Sequence, residues 1–517
     1  MSARRFAGHE LGGRMLKIFG LGKVDHPLAD PKEARRIFEA AAADDSFKAL
    51  EELGHWFDSV AGTEGFRPEQ RTQLCLQIDD VAQAHLRKLS REYLSSARPS
   101  KFQENRLWGA NHGYWQRAAA AHAGCVDALA AAKGFDAGAA ALSCARALRA
   151  LAQEIKWQYM RYGPHDDTLW QIAGRLYALS EQRGMARHKV TVYTAISGES
   201  SPEQEFLRSV MLSACSPDAL LPLEMELAER LIAHFSSSFS ISATHQADTA
   251  YWIDLAAAQP PQRLARPPQP SPTLRFFSAS GASQELQALA ARIKLNNAVP
   301  GNVNLGGSYE ASMTLDVLDH LALYWSPMPP ERKTQRHRVK TRLAVVHGLE
   351  GVLGTLGMSD TLDFGATAAE SWIVENVSAG GFGALVPHIQ GEWLKIGCLL
   401  ALQPEGGDNW LLGVVRRFSR DTPQQGSVGI QTLARSLLPA RLVIAGTEES
   451  GIVLDAPGIE SASEARVLLK PGVYVPGQNM EFEHGGQQVL LLPLGISDSG
   501  DDYDVVRCRP MLRDTGE

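Results

Sequence analysis

The spacing of apolar residues changes along the chain, and this change limits the folds that the sequence can adopt. Between Phe66 and Tyr93, apolar residues recur every three to five positions, the pattern of one helix face: Leu74, Ile78, Val81, Leu86, Leu89 and Tyr93. Residues 1 to about 235 continue as long helical patterns with short breaks, which predicts antiparallel helices. After residue 441 the chain carries short apolar runs bounded by turn residues, which predicts strands.

Bulk composition indicates an ordinary globular protein. With 517 residues, three or four domains are expected. The net charge of −7 argues against wholesale binding to nucleic acid or anionic membranes. The six cysteines are scattered without zinc-site spacing, so we expect reduced core thiols and no metal. The N-terminus lacks a signal-peptide core and no apolar run approaches about 18 residues, so we expect a cytoplasmic protein without a membrane span.

Two polar segments stand out from this background. The first is a basic run without acids, with six cations in eleven residues: Arg332, Lys333, Arg336, Arg338, Lys340 and Arg342. The second is an Asn/Ser/Gly turn, Asn376-Val-Ser378-Ala-Gly380-Gly381, inside a β-prone run. Arginine pairs with phosphate and with the guanine edge, and glycine lets backbone amides approach a phosphate. Together the segments suit a ligand that carries phosphates and a base edge.

These segments resemble the signature of the PilZ family, small β-barrels that bind the bacterial messenger cyclic di-GMP. Arg332 and Arg336 have the R-x-x-x-R spacing of the first family motif. Arg338 also precedes a predicted strand, so the pair that grips the ligand stays open. The second motif, [D/N]-x-S-x-x-G, is matched by three residues without a gap: Asn376, Ser378 and Gly381.

The resemblance covers about residues 330–440. Residues 410–431 resemble the later hairpin of the family. Residues His347 to Glu370 look like an insertion longer than is usual in the family, and it could alter the pocket.

The resemblance implies a non-enzymatic cyclic di-GMP receptor that needs no cofactor or metal. Arg332, Arg336 and Arg338 would bind phosphates and guanine edges. Asn376 would hydrogen-bond a guanine edge, Ser378 would donate to a phosphate, and Gly381 would shape the turn. The helical half would relay the signal to a protein partner, and the outputs of the family include motility and biofilm formation.

The predicted fold class is a multidomain α+β protein, with a helical N-terminal half, a PilZ-like β-barrel and a further small β-rich C-terminal domain. The predicted boundaries are 1–255 for the mainly helical bundle, 256–280 for a Pro-rich linker, 281–326 for connecting helices, 327–440 for the barrel and 441–510 for the last domain. The last segment could also supply strands that complete the first barrel.

Within the helical half, one further pattern resembles a known unit. Trp170, Ala173, Gly174 and Tyr177 resemble the first helix of a tetratricopeptide repeat. A solenoid needs three or more repeats, and no period of 34 residues is visible, so an irregular bundle with one repeat-like hairpin is expected.

Two other functions remain open. The chain could be an interaction scaffold whose degenerate barrel no longer binds nucleotide, with the basic run as a docking surface for an acidic partner. A nucleic-acid binder that uses the basic run is the weaker alternative. A docking surface would not require Asn376 and Ser378, so these two residues favour the receptor.

Overall fold

The N-terminal half is helical, as the apolar spacing predicts. The computed structural model describes residues 24–95, 100–194, 198–328, 335–358, 369–391, 393–455, 459 and 462–512. Eleven α-helices lie within these residues: α1 Pro31–Ala43, α2 Ser46–Gly62, α3 Pro68–Tyr93, α4 Lys101–Ala131, α5 Ala137–Tyr159, α6 Thr168–Gln182, α7 Pro202–Ala214, α8 Pro222–His234, α9 Ser283–Asn296, α10 Ala311–Trp325 and α11 Leu349–Thr355. Among the described helices, none combines the length and the apolar character that crossing a bilayer requires.

The first helices begin where local chemistry dictates. Asp30 caps α1, since its carboxylate accepts from the backbone N–H of Lys32 at 2.8 Å, and Pro31 occupies the first helical position. Pro68 opens α3 in the same way. The predicted apolar stripe of α3 is largely buried, with Ile78 and Leu89 fully removed from solvent.

A buried charged cluster joins the helices of this half. Asp79 is 1% exposed, and its carboxylate accepts hydrogen bonds from Arg146 Nη1 at 2.7 Å and Tyr193 Oη at 3.0 Å. Tyr114 Oη donates to the other carboxylate oxygen at 3.1 Å, and His122 Nε2 lies 3.2 Å from Oδ2. Each oxygen of Asp79 therefore has partners within the bundle, which offsets the cost of burying its charge.

A small antiparallel sheet follows the helices in the chain. Its four strands are β1 Ser240–Ser242, β2 Tyr251–Asp254, β3 Gln262–Arg263 and β4 Leu274–Ser278, in the order β1-β4-β2-β3. Residues 256–280, predicted as a linker, thus contribute two of these strands. The Pro-rich stretch connects β2 to β4 and contains β3. The buried side chains of Leu274 and Phe277 follow it in β4.

The repeat-like residues of α6 lie in the same part of the molecule. Trp170, Ala173, Gly174 and Tyr177 are all buried. A Cβ at Gly174 would lie 2.3 Å from the carbonyl oxygen of Leu255, so the glycine is required by the close approach of the chain after β2.

Two closed six-stranded antiparallel barrels make up the β-rich half, which confirms the predicted fold class. The first barrel has the order β10-β7-β6-β5-β8-β9 and the second the order β11-β12-β13-β16-β15-β14. Their strands are β5 His337–His347, β6 Glu370–Ser378, β7 Gly381–Val386, β8 Leu399–Pro404, β9 Leu411–Thr422, β10 Gln425–Ala434, β11 Leu437–Ile444, β12 Thr447–Leu454, β13 Ala465–Leu469, β14 Met480–His484, β15 Gln487–Ser499 and β16 Asp504–Leu512. The C-terminal strands therefore form a second barrel and do not complete the first.

The predicted insertion between His347 and Glu370 begins with α11. Leu349, Val352 and Leu353 of this helix are buried in a cluster with strand residues from both barrels, such as Leu412 and Ile452. Asp502 Oδ2 accepts the N–H of Leu349 at 2.7 Å at the start of the helix. The described part of the insertion thus fills the space between the barrels. Residues 359–368 lie outside the described residues.

The chain separates into two compact units. The first consists of the described residues up to Trp157, Asp167–Met211 and Ile232–Gly281. The second consists of Gln158–Asp166, Leu212–Leu231 and the described residues from Ala282 onward, so it includes both barrels. The predicted domain boundaries at 255, 280, 326 and 440 remain predictions.

Candidate functional site

Five residues from five neighbouring strands form a row across the first barrel. Arg338 on β5 pairs with Asn376 on β6, which pairs with Gly383 on β7. Gly383 pairs with Gly429 on β10, and Gly429 with Arg417 on β9. Directly paired residues of a sheet face the same side, and both arginines are exposed, so the row lies on the outside. With about 4.8 Å between strands, it extends about 19 Å around the wall of the barrel. We call it the donor row.

The pairing register shifts beside this row on three strands. The shifts fall between Arg338 and Thr341 on β5, between Val374 and Asn376 on β6, and beside Gly429, opposite Arg416 on β9. A β-bulge adds a residue to one strand and redirects the side chains next to it. On β9 the extra residue interrupts the alternation of faces at the Arg416-Arg417 pair.

Glycines form the floor of the donor row. A Cβ at Gly383 would lie 2.5 Å from Asn376 Nδ2, so the half-buried Asn376 amide occupies the space over this glycine. A Cβ at Gly429 would lie 3.2 Å from Arg417 Cβ, so the arginine stem lies beside the second glycine. The centre of the row is therefore glycine backbone covered by the Asn376 amide and the Arg417 stem, and Gly383 is buried. Because the glycines have no side chain, these two groups can lie directly against the backbone.

The Asn/Ser/Gly motif continues into a hairpin turn next to the row. Ser378 pairs with Gly381, and Ser378 Oγ donates to the carbonyl oxygen of Gly381 at 3.3 Å. A Cβ at Gly381 would lie 1.9 Å from the carbonyl oxygen of Ile430, so the close approach of β10 requires glycine. Because a serine hydroxyl has one hydrogen to donate, Ser378 must give up the long internal bond if it donates to a ligand.

An arginine outside the motifs holds this turn. Arg435 Nη2 donates to the carbonyl oxygen of Ala379 at 2.8 Å, and the N–H of Thr432 donates to that of Gly380 at 3.0 Å. Two of the turn's carbonyl groups thereby accept hydrogen bonds from β10 and from the residue that follows it. These bonds keep the turn against the barrel.

The structure describes two of the three predicted arginines, Arg336 and Arg338. Arg338 belongs to the donor row, directly opposite Asn376. Arg336 lies in the exposed segment just before β5. Arg332 lies outside the described residues. The geometry thus brings together four of the predicted residues: Arg338, Asn376, Ser378 and Gly381.

Sequence reasoning missed four residues of this surface: Gly383, Arg417, Gly429 and Arg435. The two glycines are ordinary in a β-run, and only strand pairing shows that they are neighbours. Arg416 and Arg417 are consecutive, so simple alternation would turn one of them inward, and the bulge resolves that conflict. The unusual pair of arginines within an apolar strand was the one available signal.

The donor row suits an anionic, base-containing ligand. Its three polar side chains, Arg338, Asn376 and Arg417, all carry N–H groups that can donate. Guanidinium groups bind phosphate bidentately, and the amide can both donate to and accept from a base edge. The fold and this surface define a class: a six-stranded β-barrel with a donor-rich outer row, preceded in the chain by a helical region.

Comparison with known families points to the helical region. Residues 32–247 match the family model described as Cyclic-di-GMP receptor FimW, N-terminal domain. The matched segment runs from the start of α1 to the connection after β1, so it is the helical part that is similar to this domain. The resemblance of the barrel to the PilZ family falls outside the match and stays a prediction. No curated protein matches the chain.

Proposed function

We propose that this protein is a cyclic di-GMP receptor without enzymatic activity, in which the first barrel binds the messenger and the helical region passes the signal to a protein partner. The proposal has two sources of support from different parts of the chain. The helical region is similar to the N-terminal domain of a cyclic di-GMP receptor. The barrel carries the donor row, which the family match does not include.

The donor row is the observation that carries the proposal. Arg338 and Asn376 are adjacent across two strands, and the missing side chain of Gly383 makes room for the Asn376 amide. We assign Arg338 to a phosphate and a guanine edge, and Asn376 to a guanine edge. Arg332 and Arg336 precede β5 and would complete the phosphate contacts from the basic segment. Ser378 would donate to a phosphate, and Gly381 shapes the turn.

Calorimetric titration of the full chain with cyclic di-GMP tests the proposal. Binding in the micromolar range or tighter is expected, and Arg338→Gln should weaken it. Arg507→Gln is a matched control, because Arg507 is an exposed strand arginine on the second barrel with a long ion pair of 3.8 Å to Glu464. A wild-type protein that shows neither heat nor a thermal shift with excess ligand would rule out the receptor and favour the interaction scaffold.

Salt dependence separates a dinucleotide receptor from a nucleic-acid binder. Cyclic di-GMP has two phosphates, so its affinity should fall only modestly as salt increases, whereas a protein that neutralises many phosphates shows a steep dependence. Duplex DNA should compete poorly for the site. Strong competition by DNA, together with a steep salt slope, would reject the proposal in favour of nucleic-acid binding through the basic segment.

A further inference from the structure

Arg417, at one end of the donor row, already has a hydrogen-bond partner within the chain. Its Nη2 donates a 2.8 Å hydrogen bond to the hydroxyl oxygen of Tyr324. The arginine stem lies beside Gly429, so the guanidinium starts from the floor of the row and is directed to α10. The bond joins the candidate ligand surface to a helix that belongs to the same compact unit.

Tyr324 lies in the last turn of α10, the helix that leads into the basic segment. Leu321 and Trp325 of this turn are buried. His320 packs its ring 4.8 Å from the Tyr324 ring, and its Nε2 lies 2.6 Å from the carbonyl oxygen of Cys215. The end of α10 is thus packed in place, and the hydrogen bond from Arg417 connects it to β9 of the first barrel.

The two possible partners of Arg417 differ in charge. A tyrosine hydroxyl is a neutral acceptor, whereas a phosphate oxygen is anionic. Both bonds have a charged donor, but only the phosphate adds a charged acceptor that can bind the guanidinium bidentately, so the phosphate bond is the stronger one. Arg417 exchanges a weaker partner for a stronger one if a phosphate arrives on the glycine floor beside it.

We infer that Arg417 is a ligand-operated latch: it holds Tyr324 in the free protein and binds a phosphate of the dinucleotide in the complex, which releases the end of α10. The inference rests on the proposed function and adds a binding residue outside the motifs and a route for the signal. The ligand must differ in its interactions with the two states to shift their populations, and the exchange of partners supplies that difference.

The latch predicts opposite effects on the affinity for cyclic di-GMP when Tyr324 and Arg417 are substituted separately. Removing the hydroxyl with Tyr324→Phe deletes a bond from a charged donor that exists only in the free state, so affinity for cyclic di-GMP should rise about tenfold, the scale of a hydrogen bond to a charged group. Arg417→Gln removes the phosphate partner, so affinity should fall about tenfold or more. In the double variant the gain from Tyr324→Phe should vanish, because the two residues act through one bond.

Titration of the full chain and four variants with cyclic di-GMP tests the latch. Tyr159→Phe is the matched control, since its hydroxyl bonds to Ser213 at 2.8 Å and has no part in the row. Hydrogen exchange supplies a second readout: ligand should speed exchange in residues 318–325 of wild type, and Tyr324→Phe should show this faster exchange without ligand.

The outcomes distinguish the latch from the receptor itself. If wild type binds and Arg338→Gln weakens binding, but Tyr324→Phe leaves the affinity unchanged or lower, the latch is overturned and the receptor stands. An Arg417→Gln variant that binds cyclic di-GMP as tightly as wild type would also overturn the latch and leave the receptor standing. If wild type does not bind at all, both proposals fall together. Opposite shifts that cancel in the double variant support the latch.

Discussion

The Asp79 cluster of the helical half and the donor row of the first barrel both gather charged and polar side chains, but they use them in opposite ways. Around Asp79 buried charges are paired with one another, with Arg146 2% exposed and bonded to both Asp79 and Asp80. On the barrel, Arg338 and Arg417 are exposed, and their strand partners are the uncharged Asn376 and Gly429. The first arrangement stabilises the fold. In the second, the arginine donors are accessible and can exchange one partner for another. Changes in the first should therefore act on folding, and changes in the second on binding.

The largest effect is expected from Asp79→Asn. The substitution removes the negative partner of a buried guanidinium, and breaking a buried pair costs about 3–5 kcal/mol in the free energy of unfolding. Urea denaturation measures it, with Glu39→Gln as control, because the Arg35–Glu39 pair is exposed and such pairs contribute less than about 1 kcal/mol. The affinity of the folded variant for cyclic di-GMP should not change. A loss of affinity together with the loss of stability would contradict the assignment of stability to one region and binding to the other.

The stability that the Asp79 carboxylate contributes should be lost in acid. Burial alone would raise the pKa of Asp79, but the hydrogen bond from His122 and the charge of Arg146 outweigh it and bring the pKa well below its usual range. Because the pKa of Asp79 is lower in the folded than in the unfolded protein, its ionised carboxylate stabilises the fold fully above about pH 3.9, the pKa of an aspartate in the unfolded chain. This stability is lost as the pH falls further.

Between about pH 4 and 2, Asp79→Asn should have a smaller dependence of stability on pH than wild type. The difference should approach about 1.4 kcal/mol per pH unit, the value for one proton. Chemical denaturation across this range measures both slopes. Equal slopes in the two proteins would mean that Asp79 is not the group that titrates.

Arg338→Gln should weaken binding and leave stability nearly unchanged, the reverse of the effects expected for Asp79→Asn. The loss of a charge-assisted bond to phosphate should weaken cyclic di-GMP binding by about 1.5–3 kcal/mol. Because Arg338 is exposed, the free energy of unfolding should change by less than about 0.5 kcal/mol. Titration calorimetry and urea denaturation on the same sample give both values. A large loss of stability would show that Arg338 supports the barrel and is not reserved for a ligand.

The smallest effect is expected from Ser378→Ala, which extends the comparison to the turn beside the donor row. Its hydroxyl donates to Gly381 across a long 3.3 Å contact, so little stability should be lost. A single neutral donor to the ligand contributes about 1 kcal/mol of affinity. Titration calorimetry measures this value, and Ser419→Ala on β9 is a suitable serine control. A loss as large as that of Arg338→Gln would mean that the turn itself has changed.

Local signals were sufficient for much of the fold. The Gly485-Gly486 dipeptide predicts a tight hairpin, and both glycines have positive φ between His484 and Gln487, which pair with each other. The Glu405-Gly406-Gly407-Asp408 stretch predicts a turn, and the N–H of Gly407 donates to the carbonyl oxygen of Pro404 there. These features depend on residues a few positions apart, so a single sequence contains them.

The small sheet shows where local reasoning stops. Residues 239–255 suggest a hairpin, but β1 and β2 do not pair with each other in the structure. Instead β4, from beyond the Pro-rich stretch, inserts between them and pairs with both. Strand order depends on contacts between distant segments, and no local pattern encodes it.

The candidate site divides in the same way. The sequence by itself determined the residue types: arginines before a strand, and an Asn/Ser/Gly turn whose chemistry suits phosphate and a base edge. Only the tertiary structure decided that Arg338 pairs with Asn376 and that Arg417 donates to Tyr324. It also decided that Gly383 and Gly429 are neighbours that make room for the Asn376 amide and the Arg417 stem. The physical reason is that barrel closure and bulges set which residues become neighbours across strands. Arg338 and Asn376 lie 38 positions apart and Gly383 and Gly429 lie 46 apart, so neither pair carries a shared local signal.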